Sequence, residues 1–218
     1  MADNRVAYGI RWHSRRNGGS ECPQYIPMKV ANAYQASQGG NIDLGPGDPV
    51  KLVAGGTVAI CDATDAIYGV VASVEQYYES SSGNVRGGPV LPGGTTWGAS
   101  GTNFSQRSIV NIIPAKSATF EVDVDDTSAS YDTEEEYDNF IGKNVDISYN
   151  RAELNGSQRG WPKLDASGIG TDEDFMFRIV GVVRGGDNRD FAEDNIKLLV
   201  VANDTEDGGA PATNITGV

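Results

Sequence analysis

Apolar and polar positions alternate with a period of two in several stretches of this chain, and glycine, proline and aspartate interrupt the alternation at short intervals. That period marks strands whose two faces meet different surroundings. The stretch from Leu44 to Val74 carries it most clearly. Pro46-Gly47-Asp48 has the composition of a turn: proline fixes φ, glycine accepts a positive φ, and aspartate bonds its own backbone. Val50, Leu52 and Val53 begin a strand, Gly55-Gly56 breaks it, and Thr57-Val58-Ala59-Ile60 resumes it. A second polar turn covers 62–65, and the apolar, β-branched run from Ile67 to Val74 follows. Three short strands at this spacing are expected to form an antiparallel meander that curls into a small barrel. Phe177-Arg178-Ile179-Val180-Gly181-Val182-Val183 echoes the closing strand Ile67-Tyr68-Gly69-Val70-Val71, which fits either two similar lobes or one closed sheet.

The rest of the chain supplies further strands and one helix. Val6, Tyr8 and Ile10 alternate with Ala7, Gly9 and Arg11, the spacing of a strand or of an arm that pairs elsewhere. Tyr25 to Val30 is a short apolar stretch that Pro27 holds extended. Ser108 to Pro114 reads as a strand closed by its proline. From Ala118 to Asp125 the alternation is strict, with Phe120, Val122 and Val124 on one face and acids on the other, as in a half-solvated strand. Asp132-Thr133-Glu134-Glu135-Glu136 carries helix-start chemistry; Tyr137, Phe140 and Ile141 form the apolar stripe, and Gly142 ends it. Asn144 to Tyr149 alternates again. Phe175 to Val183 and Ile196 to Val201 are the last strands, joined by a hairpin-like loop at Gly185-Gly186-Asp187-Asn188. Two stretches lack periodicity: a long glycine- and serine-rich loop from Tyr77 to Phe104, and 151–174 with Trp161-Pro162 and Leu164 as anchors. The expected fold is all-β, mainly an antiparallel β-barrel or sandwich with long loops and one short helix. Its expected parts are an extended arm over 1–40, a β domain over 41–203 divisible into similar lobes near 41–115 and 116–203, and a loosely held tail over 204–218.

Charge narrows the function. With 218 residues and a net charge of −13, the chain lacks the cationic surplus of a general nucleic-acid binder. No apolar run approaches the roughly 18 residues of a membrane span, and the Met1-Ala2-Asp3-Asn4-Arg5 opening has no apolar signal core, so maturation in a cytoplasm is expected. Cys22 and Cys61 are then expected as thiols, Cys61 as a small buried hydrophobe. With one histidine and no CxxC, a zinc site finds no ligand set, and no cofactor is expected.

Candidate chemistry is sparse. A Ser/His/Asp triad would need His13, and no Gly-x-Ser-x-Gly elbow accompanies it, so His13 reads as a surface or contact residue. An EF-hand alignment places Asp123, Asp125 and Glu134 at ligand positions. It puts Ser128 where glycine is required, though, and a strand where a helix should precede. Gly45-x-Gly47 and Gly168-x-Gly170 lack the third glycine of a dinucleotide loop. Asn103-Phe104-Ser105 and Asn214-Ile215-Thr216 match glycosylation sequons without a visible signal peptide. Contact chemistry fits better. Arg5, Arg11, Arg15 and Arg16, with Tyr8 and Trp12, make the arm the most basic segment of an acidic chain, suited to an acidic neighbouring surface. Trp97 and Phe104 are costly to leave in water, which favours packing on a partner or on the barrel. Trp97 and Trp161 would serve the alternative of stacking on sugar rings.

The order of features resembles a family of tailed-phage virion proteins that decorate or cement the capsid shell. The resemblance runs through Asn4-Arg5-Val6, Gly47-Asp48-Pro49-Val50, Ile67-Tyr68-Gly69-Val70-Val71, Phe120-Glu121-Val122, Ile141-Gly142-Lys143-Asn144-Val145-Asp146-Ile147, Phe177 to Val183, and Leu198-Leu199-Val200-Val201-Ala202-Asn203. It covers the chain from about Val6 to Asn203 and implies a non-enzymatic β-barrel protein without catalytic residues, metal or cofactor. Its implied partners are the major capsid protein and further copies of itself, as a dimer or trimer on the capsid exterior, with neither nucleic acid nor membrane. A head-fibre base or tail part would use the same scaffold. The implied place is the virion, assembled in the host cytoplasm.

Overall fold

Strands β3 (Pro49–Val53) and β4 (Thr57–Ile60) form where the sequence places them and pair antiparallel. Strand β5 (Gly69–Glu79) pairs with β3 rather than β4, through Pro49↔Val70 and Val50↔Gly69. The expected meander is thus reordered, with β3 in the middle. The other edge of β4 takes β2 (Ile26–Val30) in parallel; β2 pairs with β7 (Ile109–Pro114), and β7 returns to β5. Five strands close into a barrel in the order β3-β4-β2-β7-β5. Closure is tight where three strands meet: a Cβ on Gly69 would strike Ile112 Cγ2 and stand 2.5 Å from the Ile113 carbonyl oxygen. The chain is described here by a computed structural model over residues 9–16, 22–31, 43–63, 65–79, 83–91, 108–125, 131–149, 161–184, 190–192 and 196–203.

A second ring repeats this plan. Strand β8 (Ala118–Asp123) pairs with β13 (Lys197–Ala202), β13 with β12 (Phe177–Val182), and β12 with β9 (Asn144–Val145). After Asp146 the strand continues as β10 (Ile147–Tyr149), which pairs with β11 (Pro162–Leu164). Leu164 then bridges in parallel to Val124, closing the circle. The correspondence holds bond by bond. Gly47 N–H donates to the Val71 carbonyl and Val71 N–H to that of Asp48, both at 2.9 Å; Gly142, Ile179 and Lys143 repeat the pair, both at 2.9 Å. Ala31 N–H donates to Val58 at 2.8 Å and Asp125 N–H to Leu164 at 2.8 Å. The register of β5 on β7 skips between Val71 and Ser73, and that of β12 on β13 between Ile179 and Gly181, so each ring carries a bulge at the same place. Gly47 and Gly142 carry φ of 92° and 91°, a left-handed turn that a side chain would strain. The registers also correct the sequence echo: Gly69 corresponds to Phe177, and Gly181 to Ser73.

Packing explains the doubly apolar runs. Val71 and Ile112 point into a cluster inside the first ring, with Val30, Val50, Val58 and Val110. Their neighbours Val70 and Ile113 point the other way, into a larger cluster that Phe120, Val122, Leu164, Phe177, Ile179 and Leu198 of the second ring dominate. The shared wall of strands is therefore buried on both faces, and continuous apolar runs replace alternation there.

Several expectations change. The described parts of the stretch read as an arm, 9–16 and 22–31, are built in: β1 (Arg11–Arg15) pairs with β8, and β2 is a barrel stave. The Tyr77–Phe104 loop begins as a hairpin, because β5 runs to Glu79 and pairs with β6 (Asn84–Arg86), and Leu91 is buried against Leu44. Within the expected 151–174 loop, Pro162–Leu164 is a strand. The second face of β8 is only partly solvated: Asp123 is buried opposite Lys197, whereas Glu121 is half-buried and pairs with His13 at 2.7 Å. Helix α1 (Glu134–Asp138) starts at the expected helix-start chemistry, with Thr133 as N-cap in a capping box that Glu136 closes. It ends before Ile141, which leaves the helical phase and is exposed, while Tyr137 and Phe140 pack edge-on at 5.8 Å between centroids. The loop expected at Gly185-Gly186-Asp187-Asn188 and the 204–218 tail lie outside the described residues.

Candidate functional site

Strand β1 builds the most distinctive surface of the described chain. Gly9 and Ile10 thread between the rings: Ile10 N–H donates to the Gly47 carbonyl at 3.1 Å, and a Cβ on Gly9 would lie 3.0 Å from Trp161. The strand then runs along β8, Trp12 opposite Phe120, with a register break at His13. The bulge shifts the alternation between Trp12 and Arg15, and both, together with Arg16 just past the strand, line the same concavity. Arg16 N–H donates to the Ser117 carbonyl at 2.9 Å, which ties β1 to the 3-10 turn Ala115–Ser117 and brings exposed Lys116 alongside.

Two concavities adjoin along this strand. One, of about 370 Å³, is lined by Trp12, Arg15, Arg16, Pro23, Gln24, Ile113 and Lys116 among others. The other, of about 430 Å³, is lined by Arg11, Trp12, Pro23, Tyr25, Pro46 and Trp161 among others. Trp12, Pro23 and Ile113 belong to both and form the ridge between them. Among the described residues no acidic side chain lines either one, although the chain carries a net charge of −13. Tyr25 stands 56% exposed on the rim, amphipathic and ready for contact. Beside the groove, His13 Nδ1 meets Glu121 Oε1 at 2.7 Å, so His13 engages the sheet rather than a nucleophile.

Of the contact candidates, the structure brings Arg11, Trp12, Arg15 and Arg16 to one groove; Arg5, Tyr8, Trp97 and Phe104 lie outside the described residues. Sequence reasoning missed Lys116 and Tyr25, which enter the groove only through the β1–β8 and β2–β7 pairings. Trp161, read as an anchor, is a groove wall.

The described acids of the run do not gather into a cation cage. Asp123 lies 3.7 Å from Lys197, Asp125 accepts from Ser148 at 3.0 Å, and Glu134 pairs with Arg184 at 2.7 Å. Among the described residues no three histidine, cysteine or carboxylate groups stand together as metal ligands. Cys22 is exposed and Cys61 buried, with no disulfide between them. Comparison with protein-family models, with curated proteins and with solved structures found no match.

Proposed function

We propose that this chain is a non-enzymatic virion protein of the tailed-phage decoration type, binding the outer capsid surface and stabilising the shell across capsomer contacts. The observation that carries the reading is the groove along β1. It concentrates cations and aromatic surface on an otherwise acidic protein, which is the composition of a contact site rather than of a reaction centre. The two-ring scaffold supports it, since all-β barrels of this size present rigid edges and loops to a partner. A protein that binds only the assembled shell stabilises that state by mass action. Purified protein added to emptied, undecorated phage shells and imaged should appear as ordered density at fixed lattice positions. Shells that stay bare, with the protein on tails or free, refute the capsid role.

A second reading is carbohydrate binding, favoured by Trp12, Tyr25 and Trp161 sharing one concavity. A glycan screen decides it: a sugar bound through that concavity supports it, and no hit removes it.

A further inference from the structure

We propose that the groove along β1 is a docking site for an extended acidic peptide segment that carries an apolar side chain. The inference deepens the shell-binding reading; it rests on that reading for the identity of the partner and on the groove alone for the chemistry. Arg15 and Arg16 at the end of β1 and Lys116 on the opposing 3-10 turn place three cations around the first concavity, with Trp12 as its apolar wall. The second concavity continues past Trp12 to Tyr25 and Trp161 and is chiefly apolar and aromatic. An occupant that satisfies both halves has carboxylates at one end and an apolar or aromatic side chain at the other. Each concavity falls in the roughly 300–1,000 Å³ range of sites that hold small groups.

Charge selects a peptide over a nucleic acid. A phosphate polymer carries evenly spaced charge beyond the groove and would lie over a protein of net charge −13, where it is repelled. An acidic peptide segment can place its carboxylates only where the cations are. The groove's cationic rim also steers such a segment during encounter, so binding should weaken with salt.

The test titrates the protein with a ten-residue peptide of alternating glutamate and phenylalanine, following tryptophan fluorescence. A lysine–phenylalanine peptide and an oligothymidylate of equal charge serve as controls. Saturable binding of the acidic peptide alone, weakened about tenfold or more by Arg15→Glu with Arg16→Glu and also by Lys116→Glu, supports the site. Lys116 is exposed on a short turn, so its variant reports on the groove even where the double variant folds poorly. Equal binding of the lysine peptide, tighter binding of the oligonucleotide, or undiminished binding by both variants overturns it. The same variants on undecorated shells separate the two readings. Shell binding that survives charge reversal overturns the groove as the contact and leaves the shell role standing. Peptide binding without shell binding overturns the shell role and leaves the groove standing.

Discussion

Replacing Lys197 by methionine should be the most damaging polar substitution in the second ring. Lys197 and Asp123 are direct cross-strand partners on β13 and β8, with side chains only 4% and 1% exposed and 3.7 Å between Nζ and Oδ1. At that distance and an effective dielectric near 20 the attraction is about 4.5 kcal/mol. The methionine fills the space but leaves a carboxylate in the core without its cation, and removal of one partner of a buried pair costs about 3–5 kcal/mol. With a urea slope of about 2 kcal/mol/M, the unfolding midpoint should fall by roughly 1.5–2.5 M. The companion variant Asp123→Leu with Lys197→Met should recover most of that loss, since a buried pair exchanged for apolar groups is often close to neutral. The first ring shows that the plan does without the pair: the corresponding positions are Lys29 and Ile109. Equilibrium urea unfolding by circular dichroism measures all three proteins. A single variant within about 0.3 M of the parent, or a double variant as unstable as the single, refutes the reasoning.

The matched turns give a paired prediction: Gly47→Ala and Gly142→Ala, at φ of 92° and 91°, should each destabilise by about 1–2 kcal/mol, and strongly unequal losses in thermal unfolding would break the equivalence of the rings. Thr133→Ala should cost about 1 kcal/mol by removing the helix cap, read as a lowered urea midpoint. The Thr133 hydroxyl, donating at 2.8 Å, and the Asp132 N–H hold the Glu136 carboxyl below the usual glutamate range. Because that carboxyl is depressed in the folded state, its contribution is complete above the ordinary glutamate pKa. It is lost as pH falls through the folded value; an NMR titration of Glu136 with an ordinary midpoint would contradict this. In native protein a thiol reagent should label exposed Cys22 promptly and buried Cys61 only on unfolding; equal native rates would place Cys61 wrongly.

Local chemistry alone determined the β class, the turn at Pro46-Gly47-Asp48 with its Gly45 N–H to Asp48 bond of 2.7 Å, the strands on either side of Gly55-Gly56, and the capped helix at Thr133. Each of these is settled by neighbours within a few residues, where side-chain periodicity and backbone preference act directly. The basic character of Arg11, Arg15 and Arg16 was equally plain in the sequence, but not that the pairing of β1 with β8 and the Arg16 to Ser117 bond bring Arg15 and Arg16 to one groove with Lys116. Only tertiary structure decided which strands pair. β3 sits between β4 and β5, residues 26–30 close the first barrel, and Pro162–Leu164 closes the second ring. The Gly-Val-Val echo pointed to the duplication but misaligned it, because register and not residue identity defines the equivalence of Gly69 with Phe177. Asp123 shows the same limit: alternation assigned it to a face, and the strands packed around that face decided that it met Lys197 instead of water. Hydrogen-bonded partners far apart in sequence are selected by closure of the whole sheet, and the local period carries no record of that closure.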